Sequence, residues 1–394
     1  MASQTDTPSR LRANQRAKHA AEMLLERLVP EELDLPDGKA RLRLAVTGGD
    51  EVDVLLDGEG GAVSEVEGRA DALLQADAET WERIVRDLPA GLDAFGRGRL
   101  EIRQNLHLGV NFLGATSGSR EPGRLRFETV ETKRGAMSTL QAGQGDPVLM
   151  LHGLGGTKAS FLPTLGVLAP RGRRVIAADL PGFGDSEKPI AARYDAKFFS
   201  QAVIALMDAI GLERTDIVGH SLGGRVTLEV VMHAPERFGR VVLMTPSLAW
   251  LRERPWALWL KLVRPELGLL QPAPRPVVER IVKQLIPGGG SRYAAAGIDE
   301  FLRSYTTARG RAAFYAAARN IYLEEPETFW VRLRDLKPPA LFIWGSRDPL
   351  VPAGFERHVR EAVPQAEHVT LNCGHVPQVE RPRELHAAIA RFLT

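Results

Sequence analysis

The spacing of hydrophobic residues changes near residue 120, and this change predicts two domains. Before it, short segments alternate apolar and polar residues as half-buried strands do, with glycine-rich and aspartate-rich turns between them. Beyond it, near-continuous apolar runs alternate with helical segments, which is the pattern of a mostly parallel sheet covered on both faces. We therefore predict a compact α+β domain over 1–115, a linker over the turn-favouring residues 116–123, and an α/β domain over 124–394.

The first domain is predicted to be a sheet accompanied by helices. Apolar residues recur near helical spacing over Leu11–Leu28, which predicts an amphipathic helix. Asp77 stands where it can cap a second helix through AETWERIVRD. The predicted strands are ARLRLAVT, EVDVLL, GAVSEVEG, ADALLQAD and the short LEIRQ.

One long interval breaks the alternation of strands and helices in the second domain. After a predicted hairpin, RLRFETV with AMSTLQAG, the apolar strands are 147–151, 173–179, 216–220, 240–245, 339–345 and 366–371. Residues from about 246 to 337 form a mostly helical insertion that contains Trp250, Trp256 and Trp259. Ligands bind parallel sheets at the carboxyl ends of their strands, so we predict a cap over a binding site. An added packing subdomain is the alternative.

The segment GHSLG at 219–223 carries the sharpest motif of the chain. It is a G-x-S-x-G placed directly after an apolar strand and directly before a helical stretch. A turn of this kind pushes the serine hydroxyl above the sheet, and small glycines let neighbouring backbone approach the tight corner. The motif therefore marks Ser221 as a candidate nucleophile.

Residues 124–394 resemble the α/β-hydrolase family through this motif and two later segments. GSRDPLVP at 345–352 is similar to the family's acid loop, and NCGH at 372–375 is similar to its histidine loop. The resemblance implies an α/β-hydrolase fold with a catalytic triad of Ser221, Asp348 and His375. In these roles His375 takes the proton of Ser221 and returns it to the leaving group, while Asp348 orients the imidazole ring.

The glycine-rich segment HGLGG at 152–156, directly after an apolar strand, resembles the family's oxyanion loop. The resemblance implies that the backbone N–H groups of Leu154 and Leu222 face the negative charge that develops on a carbonyl oxygen. A turn used only for packing is the alternative. Phosphate binding is disfavoured because the segment lacks the pattern G-x-x-x-x-G-K-[ST].

A further family-like segment, DLPGFGDS at 179–186, is predicted to be a structural turn beside the pocket. Phe183 is the candidate for substrate contact, against the packing role that is usual for an aromatic residue in a Pro-Gly turn. Asp179 and Asp185 are expected to belong to the turn and not to take part in catalysis. Cys373 is expected to be a small buried residue, since Ser221 already occupies the elbow.

Charge and cysteine content narrow the classes of function. The 51 basic and 49 acidic residues nearly cancel, so the chain carries no strong field for nucleic acid or an anionic membrane. The single cysteine excludes an intramolecular disulfide and a thiolate metal cluster, which fits a reducing compartment. The sequence shows no signal segment and no apolar run long enough to span a bilayer. We expect a cytoplasmic protein without stable membrane insertion.

Residues 35–113 resemble the sterol carrier protein 2 family, chiefly through ADALLQADAETWERIVRD and AFGRGRLEIRQNLHLGVNF. The fold of that family is a sheet flanked by helices around an apolar tunnel, so the resemblance implies a lipid ligand or the presentation of substrate. Such a cavity would be lined by Trp81, Ile84, Val85, Leu88 and Phe95. The alternative is a filled core, because helical apolar stripes usually face a core.

The predicted function is hydrolysis of hydrophobic carboxylic esters through an acyl-enzyme, without a metal or a cofactor. The partner is then a small hydrophobic ester or acyl substrate. Among enzymes the alternatives are a carbon–carbon bond hydrolase and an acyltransferase, because the same triad can serve water or another acceptor. A serine at the elbow argues against haloalkane dehalogenase and epoxide hydrolase chemistry, which use a carboxylate there. The alternative outside enzymes is a lipid-binding or scaffold protein with an inactive hydrolase domain.

Overall fold

The chain divides into two compact units, Met1–Ser119 and Arg120–Thr394. The computed structural model describes residues 15–35, 37–86, 94–95, 99–117, 125–248, 262, 264, 266, 274–285, 292–321, 326–352 and 354–394. Most of the predicted linker over 116–123 lies outside these residues. So do the start of the predicted first helix, Leu88, Trp250, Trp256 and Trp259.

The first unit is built on a five-stranded sheet. Its strands are β1 (Lys39–Val46), β2 (Glu51–Asp57), β3 (Gly60–Ser64), β4 (Ala72–Ala76) and β5 (Leu100–Arg103). The described helices are α1 (Arg16–Leu25), α2 (Ala78–Arg86) and α3 (Leu106–Ala115), with a 3-10 turn at Pro30–Glu32. In the order β3-β2-β1-β4-β5, neighbours pair antiparallel except β1 and β4, which are parallel.

Two helices of this unit begin at side-chain caps. The carboxylate of Asp77 accepts a hydrogen bond from the N–H of Thr80 at 2.7 Å, as the sequence predicts for α2. The side chain of Asn105 accepts from the N–H of Leu108 at 3.0 Å and starts α3, which the sequence analysis missed. All ten residues of α3 are buried, so the segment has no exposed polar face and its apolar residues show no clear helical period.

The second unit is built on an eight-stranded sheet. Its strands are β6 (Arg126–Thr132), β7 (Gly135–Ala142), β8 (Asp146–Leu151), β9 (Arg173–Ala178), β10 (Thr215–His220), β11 (Phe238–Met244), β12 (Ala340–Gly345) and β13 (Glu367–Leu371). In the order β13-β12-β11-β10-β8-β9-β7-β6, the six strands from β8 to β13 run parallel. The β6–β7 hairpin adds an antiparallel edge. The central strands are buried almost throughout, which explains their continuous apolar runs.

Helices follow the strands of this sheet. They are α4 (Leu162–Leu168), α5 (Ala196–Ala209), α6 (Leu222–His233), α7 (Arg275–Leu285), α8 (Arg292–Tyr305), α9 (Ala308–Ile321), α10 (Pro326–Leu333), α11 (Gly354–Ala362), α12 (Pro377–Glu380) and α13 (Pro382–Leu393). Shorter 3-10 turns lie at Lys158–Phe161, Ala169–Arg171 and Pro235–Arg237. Helices α7 to α10 fall within the predicted insertion between β11 and β12. Among the described helices, none combines the length and the apolar character needed to cross a membrane.

Candidate active site

Ser221 sits on a sharp turn between β10 and α6. Its backbone has φ 52° and ψ −113°, a region that L-residues rarely occupy. Glycines make this turn sterically possible: a Cβ on Gly223 would lie 2.1 Å from the carbonyl oxygen of Leu151, and one on Gly219 would lie 2.4 Å from Oγ1 of Thr227. The elbow expected from the sequence is therefore present, and it carries Ser221 just beyond the carboxyl end of β10.

Ser221, His375 and Asp348 lie within hydrogen-bonding distance in series. Nε2 of His375 lies 2.8 Å from Oγ of Ser221, and Nδ1 lies 2.8 Å from Oδ2 of Asp348. Ser221 is 5% exposed and His375 is 7% exposed. Because a carboxylate only accepts hydrogen bonds, a neutral His375 donates through Nδ1–H and accepts the Ser221 hydroxyl proton at Nε2.

The loop after β12 fixes the orientation of Asp348. Oδ1 accepts hydrogen bonds from the N–H groups of Leu350 at 2.7 Å and Val351 at 2.9 Å. Oδ2 is left for His375, and the Asp348 side chain has no exposed surface. The carboxylate is thus held on both oxygens before any substrate binds.

His152 holds the glycine-rich loop that follows β8. Its Nδ1–H donates to the carbonyl of Gly153 at 2.8 Å, and its Nε2 accepts from the N–H of Leu180 at 2.9 Å. Burial lowers the pKa of His152, so the ring stays neutral, as these two hydrogen bonds require. The loop is therefore anchored to the segment that follows β9.

The backbone N–H groups of Leu154 and Leu222 donate no hydrogen bond within the described part of the chain. Leu222 is the first residue of α6, where helical N–H groups have no partner inside the helix. The loop also comes close to the elbow, because a Cβ on Gly153 would lie 3.1 Å from Cβ of Ser221. Both predicted oxyanion donors thus lie on segments that meet at the serine.

His220, the residue before Ser221, contacts the histidine loop. Its Nε2–H donates to the carbonyl oxygen of His375 at 2.9 Å, and its Nδ1 lies 3.3 Å from Nε2 of Gln378. Burial, together with the neighbouring His375, lowers the pKa of His220 to about 3. The neutral ring is a fixed hydrogen-bond donor. The G-x-S-x-G motif gives no signal for this role, because it leaves the position before the serine unspecified.

A buried cluster of charged side chains follows the glycine-rich loop. Lys158 is 1% exposed, and its Nζ lies 2.7 Å from Asp179 and 3.0 Å from Asp185. Burial opposes its charge, but the two carboxylates outweigh that effect and raise the pKa of Lys158. Arg303 of α8 donates to Asp185 at 2.6 Å. Asp179 and Asp185 therefore anchor a lysine and an arginine that the sequence analysis did not single out.

Aromatic side chains of α8 and α9 pack on the glycine-rich loop. A Cβ on Gly155 would lie 2.3 Å from Cε2 of Phe301 and 3.3 Å from Cε2 of Phe314. Phe183, the candidate for substrate contact, is instead 1% exposed and packs edge-on against His152, with 5.7 Å between ring centroids. Contact of Phe183 with a substrate stays a prediction.

Two further histidines of this unit and the single cysteine could in principle act as a base or a nucleophile. His368 in β13 accepts a hydrogen bond from Trp344, and His386 in α13 lies 3.1 Å from the hydroxyl of Thr164. Burial raises the pKa of the Cys373 thiol to about 12, so this cysteine stays protonated. These groups do not compete with Ser221 and His375.

Comparison with known proteins relates the second unit to hydrolases of the α/β-hydrolase fold. The sequence model of the alpha/beta hydrolase fold family matches residues 146–382. A 2-hydroxymuconate semialdehyde hydrolase from Pseudomonas putida is 30% identical over 260 residues, which is 64% of this chain and 88% of the relative.

Two solved structures share the fold. A hydrolase from Pseudomonas aeruginosa PA01 is 25% identical with a TM-score of 0.59, covering 68% of this chain and 98% of its own. A bacterial membrane phospholipase A is 25% identical with a TM-score of 0.55, covering 68% of this chain and 86% of its own.

Proposed function

The chain belongs to the α/β-hydrolase fold family, and on that premise we propose that it is a serine hydrolase that cleaves hydrophobic carboxylic esters through an acyl-enzyme. The observation that carries the proposal is the continuous series of hydrogen bonds from Ser221 through His375 to Asp348, each 2.8 Å long. A hydroxyl is a weak nucleophile unless a base within hydrogen-bonding distance takes its proton, and His375 is such a base.

In the proposed reaction, Oγ of Ser221 attacks the ester carbonyl carbon while its proton passes to Nε2 of His375. The tetrahedral intermediate collapses as the alcohol leaves with that proton, which produces the acyl-enzyme and neutral His375. Water then gives a proton to His375 and attacks the acyl carbon, and the carboxylic acid leaves as Ser221 recovers its proton. Asp348 stabilises the imidazolium that forms in both steps.

The carbonyl oxygen becomes negative in each tetrahedral intermediate, and we propose that the N–H groups of Leu154 and Leu222 bind it. Support comes from the lack of another acceptor for either group within the described residues. One such donor is worth about 10² to 10³ in kcat. The preference for a hydrophobic substrate is supported by the rings of Phe301 and Phe314, which pack against the loop that carries Leu154.

A second candidate is hydrolysis of a carbon–carbon bond, and a specific similarity favours it. The relative from Pseudomonas putida is a 2-hydroxymuconate semialdehyde hydrolase, and the substrate in that name is neither an ester nor an amide. The phospholipase A similarity, at 25% identity, favours ester cleavage instead. Acyl transfer is a third outcome of the same acyl-enzyme, with an alcohol or amine in place of water.

The test is turnover of a p-nitrophenyl ester series from acetyl to dodecanoyl, measured for the wild type and Ser221→Ala. Loss of the nucleophile should lower kcat by about 10⁴- to 10⁶-fold. A wild-type kcat/KM that rises with chain length supports the hydrophobic ester. Activity that survives in Ser221→Ala would contradict the serine mechanism. Activity on a 2-hydroxy-6-oxo-dienoate with none on any ester would move the proposal to carbon–carbon cleavage.

For the first unit we propose the lipid ligand that its resemblance implies. Support comes from the five-stranded sheet with its helices and from the apolar side chains of Trp81, Ile84 and Val85 on the buried face of α2. The test is binding of a fluorescent fatty acid to the full chain after Ser221 has been blocked with a phosphonate. Saturable binding supports the proposal, whereas no binding identifies these side chains as a filled core.

A further inference from the structure

Thr245, the residue directly after β11, has an unusual backbone conformation. Its φ is 41°, in the left-handed region that a β-branched residue avoids. Thr245 is also completely buried. A strained residue persists only where its surroundings fix it, and such residues concentrate at functional sites. Its contacts therefore indicate what the strain is for.

The contacts of Thr245 reach the loop that carries the proposed base. Its N–H donates to the carbonyl of Ile343 at 2.8 Å, and its hydroxyl donates to the carbonyl of His375 at 3.0 Å. The imidazole of His220 donates to that same oxygen at 2.9 Å. The His375 carbonyl thus accepts two hydrogen bonds, one from each of the strand ends beside it.

The N–H groups on either side of His375 are held as well. The carboxylate of Glu380 accepts from the N–H of Gly374 at 2.9 Å and from the N–H of Val376 at 3.3 Å. The backbone around His375 is therefore fixed through its own carbonyl and through both neighbouring amides. A fixed backbone limits the positions that the imidazole can take relative to Ser221.

The turn at 245–247, here called the β11 turn, contacts the nucleophile too. The N–H of Ser247 donates to the carbonyl of Ser221 at 3.0 Å, and the N–H of Ser221 donates to the carbonyl of Met244 at 3.0 Å. Oγ of Ser247, which is 1% exposed, lies 3.4 Å from Oγ of Ser221. One short segment is therefore bonded to both the elbow and the histidine loop.

We infer that the β11 turn sets the distance between Ser221 and His375, with the Thr245 hydroxyl as the positioning group on the base. The inference rests on the proposed function, because it assigns Thr245 a role through His375. It explains why a strained threonine stands where glycine would be unstrained: glycine has no hydroxyl to donate to the His375 carbonyl. It also gives the β11 turn a role in the reaction although it holds none of the three triad residues.

The experiment compares the second-order rate of fluorophosphonate labelling in the wild type, Thr245→Val, Thr245→Ser and Ser221→Ala. Valine keeps the β-branched shape and removes only the hydroxyl, whereas serine keeps the hydroxyl. We expect Thr245→Val to label about five- to tenfold more slowly and Thr245→Ser to stay within about twofold of the wild type. On an ester substrate the loss should fall on kcat with KM unchanged.

A purely structural role would lower the unfolding temperature of Thr245→Val but leave the labelling rate of the folded protein unchanged, and that result overturns the inference. Equal losses in Thr245→Val and Thr245→Ser also overturn it, since the hydroxyl would then be irrelevant. If Thr245→Val does not fold, Thr245→Gly decides in the same assay, because glycine tolerates the positive φ and also lacks the hydroxyl. Slower labelling of Thr245→Gly supports the inference, and a wild-type rate refutes it. Labelling of Ser221→Ala at the wild-type rate would instead refute the proposed function.

Discussion

The two units hold buried polar side chains in different ways. In the first unit, Asp53 is completely buried, and its carboxylate accepts from Arg43 at 2.7 Å, from Arg41 at 3.0 Å and from the N–H of Glu67 at 3.0 Å. Arg41 and Arg43 lie in β1, the strand that pairs with the β2 strand of Asp53. The carboxylate therefore has its hydrogen-bond donors without a ligand. Burial opposes the charge of Asp53, but these hydrogen bonds prevail and lower its pKa.

In the second unit, the polar groups of the candidate active site lie after separate strands, and two of its backbone donors lack an acceptor. Ser221 follows β10, Asp348 follows β12 and His375 follows β13, while Leu154 follows β8. The N–H groups of Leu154 and Leu222 have no acceptor within the described residues. The difference shows what a parallel sheet provides: the carboxyl ends of its strands meet at one edge, where groups distant in sequence face a common point.

The largest effect expected from this difference concerns Asp348. In Asp348→Asn, the amide oxygen should stay with the N–H groups of Leu350 and Val351, which leaves the NH₂ facing Nδ1 of His375. His375 must then carry its proton on Nε2 and cannot take the one from Ser221, so kcat should fall about 10³- to 10⁴-fold. Ester hydrolysis by the purified variant checks this. Asp335→Asn, an exposed carboxylate of the same unit, is the matched control, and equal activity in both variants would contradict the role of Asp348.

A smaller effect is expected from the corresponding change in the first unit. Asp53→Asn removes charge-assisted hydrogen bonds to Arg41 and Arg43 and should lower the free energy of unfolding of that unit by about 1.5 to 3 kcal/mol. The fluorophosphonate labelling rate of Ser221 should not change. Urea denaturation followed by limited proteolysis measures the stability, with the exposed Glu51→Gln as control. A tenfold fall in the labelling rate would show that the first unit contributes to the site.

The most gradual difference is the response to acid. Burial lowers the pKa of His220 to about 3 and that of His386 to about 4, below the ordinary value of 6.5. The unfolded chain therefore binds more protons below pH 6.5, and the second unit loses stability as pH falls from there toward these lowered values. We expect about 2 kcal/mol per histidine between pH 7 and pH 5.

In the first unit the lowered pKa of Asp53 has its effect at a lower pH. The stability that it provides is present above its ordinary value of 3.8 and is lost only as pH falls below that value. Hydrogen exchange at pH 7 and pH 5, corrected for intrinsic rates, separates the two units. His386→Gln, which can still bond to Thr164, should remove about 2 kcal/mol of the acid loss. An unchanged loss in that variant would contradict the assignment.

The sequence predicted the strands of both units and the three residues of the hydrogen-bonded series, because each has a local signal. Continuous apolar runs mark buried parallel strands, and Ser221, Asp348 and His375 stand in motifs directly after such runs. Helix α3 was missed because its side chains are buried all round, although Asn105 is a recognisable cap.

The supporting residues of the site could not be found in the same way. The roles of three residues depend on contacts with loops that are distant in sequence: Thr245, His220 and Lys158. The local sequence around each residue does not predict those partners. One signal was available: Thr245 follows an apolar strand of the parallel sheet, so it had to lie at the same edge as Ser221. The family resemblance of the segment at 179–186 does not distinguish substrate contact from core packing for Phe183.

The site of covalent modification by a fluorophosphonate, mapped by peptide mass spectrometry on the full chain, tests whether Ser221 is the nucleophile. We expect a single adduct on the peptide that contains Ser221. Ser247, only 3.4 Å away, should stay unmodified, because of the two serines only Ser221 is bonded to His375. No adduct, or an adduct on Ser247 or another residue with Ser221 unmodified, would contradict the claim that Ser221 is the nucleophile.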